Sequence, residues 1–64
     1  MNSDTNTALA EAWATYLEEN EKFEDKGIKA AAARARKALG DIRKLSGVRR
    51  KEIIDAKNAM ATKA

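Results

Sequence analysis

Residues 29–60 read KAAAARARKALGDIRKLSGVRRKEIIDAKNAM, and two patterns run through them. The first opens at Ile28 and continues through Ala32, Ala35, Leu39, Ile42, Ser46, Arg49, Ile53, Ala56 and Met60, alternating steps of four and three. That spacing places these positions on one stripe of an α-helix. Leu45 and Val48 widen the stripe on one flank. The second pattern is cationic. Lys29, Arg36, Arg43, Arg50 and Lys57 recur every seven residues, and Lys37, Lys44 and Lys51 directly follow the middle three. Seven residues make almost two helical turns, so these side chains form one strip, with Lys57 at its edge, across from the apolar stripe.

Gly40 and Gly47 interrupt the good helix formers, each costing about 1 kcal/mol relative to alanine in a helix interior. The Ser46-Gly47 pair could stop the helix, but the apolar stripe keeps its phase through it. One long helix is therefore expected, on the order of 50 Å from end to end. The two glycines lie seven apart on a common face. There, either a backbone approaches closely or solvent simply tolerates them.

Upstream, Leu9, Trp13, Tyr16, Asn20 and Phe23 recur at steps of four and three, with Leu17 beside them. This predicts an amphipathic helix carrying the chain's three aromatics on one stripe. Residues 1–6 are polar and expected to fray, with Asp4, Asn6 or Thr7 available as an N-cap. Asp25-Lys26-Gly27 supplies a stop, because glycine readily takes the left-handed conformation that closes a helix. The expected fold is all-α: a two-helix antiparallel hairpin forming a single domain over residues 1–64. A short acidic helix covers about residues 7–25, a turn 26–28, and a long basic helix about 29–60.

A hairpin with arms this unequal leaves the distal part of the long helix unpartnered. Two copies packing together, as a four-helix bundle or antiparallel coiled coil, would cover it. The expected dimer and core positions are Leu9, Trp13, Tyr16, Leu17, Phe23, Leu39, Ile42, Leu45, Ile53 and Met60. Asn20 and Arg49 also fall on the stripes. Each either fixes register as a buried polar residue or snorkels to the edge.

Composition narrows the function. The chain has 64 residues and no Cys or His, which excludes disulfides and thiolate or imidazole metal sites. No stretch approaches a membrane span and no leader opens the chain, so the expectation is a soluble cytoplasmic protein. The net charge of +3 hides a strong polarity. Residues 1–25 hold seven acids against Lys22, a balance of −6; residues 26–64 hold twelve bases against Asp41, Glu52 and Asp55, a balance of +9. Charge divided in this way predicts electrostatic binding by the basic half.

An ordinary solvated helix face mixes signs and pairs acids with bases four residues apart. Here Asp41, Glu52 and Asp55 fall outside the centre of the strip. A single-sign strip repels itself, and a polyanion relieves that repulsion. The strip carries few amides and no aromatic, so it suits phosphate contacts better than base reading or stacking. Lys29, Arg36, Lys37, Arg43, Lys44, Arg50, Lys51 and Lys57 are the expected contacts. Catalysis has no support: a nucleophilic Cys, a His, a phosphate loop and a carboxylate pair within an apolar stripe are all missing. Glu18, Glu19, Glu21, Glu24 and Asp25 read as a solvated acidic face, and no metal or other cofactor is expected.

The order of motifs in residues 23–53 also resembles a known family. Lys26-Gly27-Ile28-Lys29 leads into an alanine run, then Arg34-Ala35-Arg36, a Leu/Ile-spaced stretch, and Arg50-Lys51-Glu52-Ile53. With the acidic helix upstream, residues 8–57 resemble the small bacterial linker-histone-like proteins of the chlamydial type. The resemblance implies a nucleoid-associated protein that binds duplex DNA with little sequence preference. It places that role on Lys26, Lys29, Arg34, Arg36, Arg50 and Lys51. Chlamydial-type members carry a long Lys/Ala/Pro-rich tail, whereas this sequence ends at Ala61-Thr62-Lys63-Ala64, like tail-less members.

The expected function is thus a dimeric, non-enzymatic, histone-like protein that compacts or bridges double-stranded DNA through phosphate contacts. The alternative is a coiled-coil protein whose basic strip docks an acidic protein partner. Docking on an anionic membrane is disfavoured, because the larger residues of the Ala-rich stripe are needed for the core.

Overall fold

The computed structural model describes residues 4–62; the frayed start expected for residues 1–3, and Lys63 and Ala64, lie outside them. Two helices account for the described chain: α1, Asp4–Lys26, and α2, Lys29–Thr62. They fold back on each other as a hairpin with Cα extents of 54 × 16 × 14 Å. α1 starts at Asp4, whose carboxylate suits the positive end of the helix dipole. It therefore begins earlier than the expected residue 7.

The hairpin turns at Gly27, whose φ of 66° lies in the left-handed region. Its N–H donates to the Phe23 carbonyl at 3.0 Å and the Ile28 N–H reaches the Lys22 carbonyl at 3.4 Å. Carbonyls of the last turn are thereby satisfied as the chain reverses. The Ala31 N–H then donates to the Ile28 carbonyl at 3.1 Å and α2 begins. α2 continues through Gly40 and Gly47 without interruption.

The contact between the helices is displaced from the expected stripes. Its buried residues are Ala31, Ala35 and Ala38, together with Glu19. Further along α2, Ile42, Leu45, Arg49, Glu52 and Ala56 are half-buried, and on α1 so are Thr5, Ala8, Ala12, Tyr16 and Lys22. Relative to the stripes read from the sequence, α2 is rotated so that Ala31 and Ala38 replace Ala32 and Leu39. α1 turns the same way, and Thr5, Ala12 and Glu19 line its inner face at seven-residue steps.

Size explains the choice. Alanine against alanine lets two helix axes approach to the short end of the roughly 8–10 Å range. Packing Leu39 and Trp13 inward would hold them further apart. The larger residues consequently line the flank: Trp13, Leu17, Phe23, Ile28, Leu39, Ile53 and Met60 are all exposed. Of the ten expected dimer or core residues, only Leu9, Tyr16, Ile42 and Leu45 are half-buried within one chain. No large side chain is fully buried. Such a hairpin has little core of its own.

Polar pairs hold the two ends of the seam. The Thr5 hydroxyl donates to Glu52 Oε2 at 2.6 Å, and Arg49 Nη1 donates to Glu52 Oε1 at 3.1 Å. Near the turn, Arg34 Nε donates to Glu19 Oε1 across the helices. Arg49 thus lies in the seam as an ion-pair partner. Because Thr5 meets α2 at Glu52, residues 53–62 extend beyond the start of α1, an overhang of about 15 Å at 1.5 Å per residue.

Candidate nucleic-acid interface

The outer surface of α2, away from α1, is built from two cationic rows. Lys29, Arg36, Arg43, Arg50 and Lys57 form one, and Lys37, Lys44 and Lys51 the other; all eight are exposed. At 100° per residue, Ala33, Gly40 and Gly47 lie on the crest between them. A Cβ added at either glycine meets nothing within 4 Å. The crest is therefore low, and the cations stand on either side of it. Within a row, successive charges are about 10.5 Å apart along the axis.

None of these eight side chains makes an ion pair with a described residue; the ion pairs found are Lys22–Glu18, Lys22–Glu19, Arg34–Glu19 and Arg49–Glu52. Asp41 and Asp55 stand on the far side of the lysine row, on the flank that also carries Arg34 and Val48. Repulsion within the rows goes uncompensated by the protein, a charged surface suited to a polyanion.

Two further basic residues expected at the interface sit differently. Lys26 is exposed at the last turn of α1, beside the hairpin turn. Arg34 is exposed on its outer side, but its guanidinium is held by Glu19. Part of its charge is therefore spent inside the protein.

Glu19 corrects the reading of a wholly solvated acidic face. It is only 5% exposed, because the close-packed seam passes through it. The hydrogen bond from Arg34 holds its carboxyl below the usual carboxylate range, against the opposing effect of burial, with the Arg34 and Lys22 charges adding to the lowering. Glu19 Oε2 makes no hydrogen bond and lies 3.4 Å from the Lys22 ammonium. The Lys22 pKa is raised, first by its bond to Glu18 at 3.3 Å and then by the Glu19 charge. The signal for this cluster was present in the sequence as the heptad Thr5, Ala12, Glu19, but the brighter aromatic stripe beside it masked it.

Among the described residues, no group of three or more His, Cys, Asp or Glu could hold a metal ion, and no helix is long and apolar enough to cross a membrane. The architecture defines a class: a small helical hairpin with one face of unpaired cations. Within that class, the chain belongs to the family of histone H1-like protein Hc1, whose model matches residues 3–59. No curated protein and no solved structure matches the chain. Membership of a histone H1-like family points to a DNA-binding protein of the nucleoid, of a packaging and non-enzymatic kind.

Proposed function

We propose that the protein binds double-stranded DNA without sequence preference, through phosphate contacts from the outer face of α2, and compacts it as a homodimer. The supporting observation is the pair of exposed rows from Lys29 to Lys57, free of ion pairs with any described residue. Arg36, Lys37, Arg43, Lys44, Arg50 and Lys51 make the central contacts. Lys29 and Lys57 extend them at the ends, Lys26 adds a contact beside the turn, and Arg34 contributes less because Glu19 holds it. The face has no aromatic for stacking, which favours duplex over single strands.

Neutralising Z phosphates releases counterions, and log K falls against log salt with a slope of about −0.9Z for duplex DNA. About five contacts give a slope of about −4.5. A binding titration at several salt concentrations measures it. A steep linear fall supports the proposal; a flat response, or no binding at low salt, rejects it.

A further inference from the structure

One flank of the hairpin is apolar along its full length. On α2, Ala32, Leu39, Ser46, Ile53 and Met60 stand seven apart, between the buried seam and the arginine-led row. Leu39, Ile53 and Met60 are 44, 52 and 65% exposed. α1 adds Leu9 and Trp13, which line a shallow groove with Asn6, Ala10, Ile42 and Ser46. The opposite flank carries Glu11, Asp41 and Lys44 and is polar by comparison.

The order of residues along the apolar row is informative. Leu39 and Ile53 lie equally far from Ser46 on either side, as do Ala32 and Met60. A second copy running antiparallel and centred on Ser46 therefore sets Leu39 against the partner's Ile53. It also sets small Ala32 against the partner's long Met60, and Ser46 against its own copy. The same register places the overhang, residues 53–62, beside the partner's hairpin turn, where Phe23 and Ile28 are exposed. The side of the hairpin measures 54 by 16 Å between Cα atoms, on the order of 800 Å², one partner's share of a standard interface.

We propose that the protein forms this antiparallel dimer about Ser46, and that the dimer joins the cationic rows of two α2 helices into one continuous DNA-binding face. The arginine-led row borders the apolar flank on its outer side. In the dimer the two such rows become neighbours, with Arg43 beside the partner's Arg50 and Arg36 beside the partner's Lys57. Both acidic α1 helices lie on the opposite surface. The assembly consequently presents one basic side and grips one duplex, instead of bridging two. Facing rows of like charge oppose association, and a duplex laid over them removes that opposition. Duplex binding and dimerisation must then strengthen each other to the same extent.

The inference rests on the proposed phosphate contacts for its ligand but not for its register, and the two can be tested apart. The chain has no cysteine, so single-cysteine variants can be treated with a short bis-maleimide. Ser46→Cys is expected to cross-link into dimers, and Val48→Cys, on the other flank, to remain monomeric. Mixing Leu39→Cys with Ile53→Cys should yield heterodimers in excess of either variant alone. A short duplex should raise the Ser46→Cys yield several-fold, and a dimer bound to one labelled duplex should fail to capture a second. Equal linking at Ser46 and Val48, or a monomeric mass with and without duplex, overturns the dimer while leaving phosphate binding intact. Capture of a second duplex overturns the single face. Failure to bind duplex at low salt, with Ser46→Cys still linking, rejects the functional reading and leaves the register standing.

Discussion

Three glycines in one small chain serve opposite ends. Gly27 has a left-handed φ of 66°, which costs an L-residue about 1–2 kcal/mol. Gly40 and Gly47 are helical, with open space where a Cβ would project. Gly27→Ala is expected to destabilise the fold by about 1 kcal/mol. Gly40→Ala or Gly47→Ala should stabilise it by about 0.8–1 kcal/mol, the difference in helix propensity. Urea unfolding of the three variants checks both signs. A parallel loss of duplex affinity in the two stabilised variants would show that the low crest between the cationic rows is used for contact.

Glu19 makes the residue scale sensitive to acid. Its carboxyl is held below the ordinary range chiefly by Arg34, so the folded state binds the proton less readily than the unfolded chain. The resulting stability is present at neutral pH. It declines as the pH falls below the ordinary glutamate pKa and is gone beneath the depressed folded value. Glu19→Gln should therefore flatten the acid limb of a plot of Tm against pH. An unchanged acid limb would show that the Arg34 bond contributes nothing to folding.

At the scale of the helix, the decisive quantity is rotation about its axis. The four-three alternation in residues 28–60 announced a single long helix and kept its phase across Gly47, and α2 is continuous there. What periodicity could not fix was which of two adjacent stripes faces α1. Ala31, Ala38 and Leu45 repeat as regularly as Ala32, Leu39 and Ser46. A reading weighted by hydrophobicity favours Leu39, whereas the geometry of close approach favours alanine. The same one-step ambiguity hid Glu19 behind Tyr16 and Phe23. Ala31 is fully buried, and Ala31→Leu should overpack the seam at a cost of about 1–3 kcal/mol. Thermal unfolding would show it; a neutral or stabilising effect would contradict the alanine seam.

The whole molecule separates its tasks by direction. Alanines face inward, large apolar residues face one flank, and cations face outward on α2, while α1 carries most of the negative charge. The cationic face was legible in the sequence because a seven-residue period survives a rotation of one position: Lys29, Arg36, Arg43 and Arg50 stay outside under either register. Arg34 was not legible in the same way. Its pairing depends on the height at which α1 crosses α2, a tertiary fact absent from the spacing of its own helix. The exposed apolar flank shows why the aromatic stripe was so prominent in the sequence while contributing little to the seam of one chain.

The central claim is that the outer face of α2 reads phosphate charge and not base identity. The direct measurement is the salt dependence of duplex binding for the native chain and for Arg36→Gln/Arg43→Gln/Arg50→Gln, on AT-rich and GC-rich duplexes. Three lost phosphate contacts should make the slope shallower by about 2.7, with affinity falling equally on both duplexes. An unchanged slope, or a loss confined to one duplex, would contradict it.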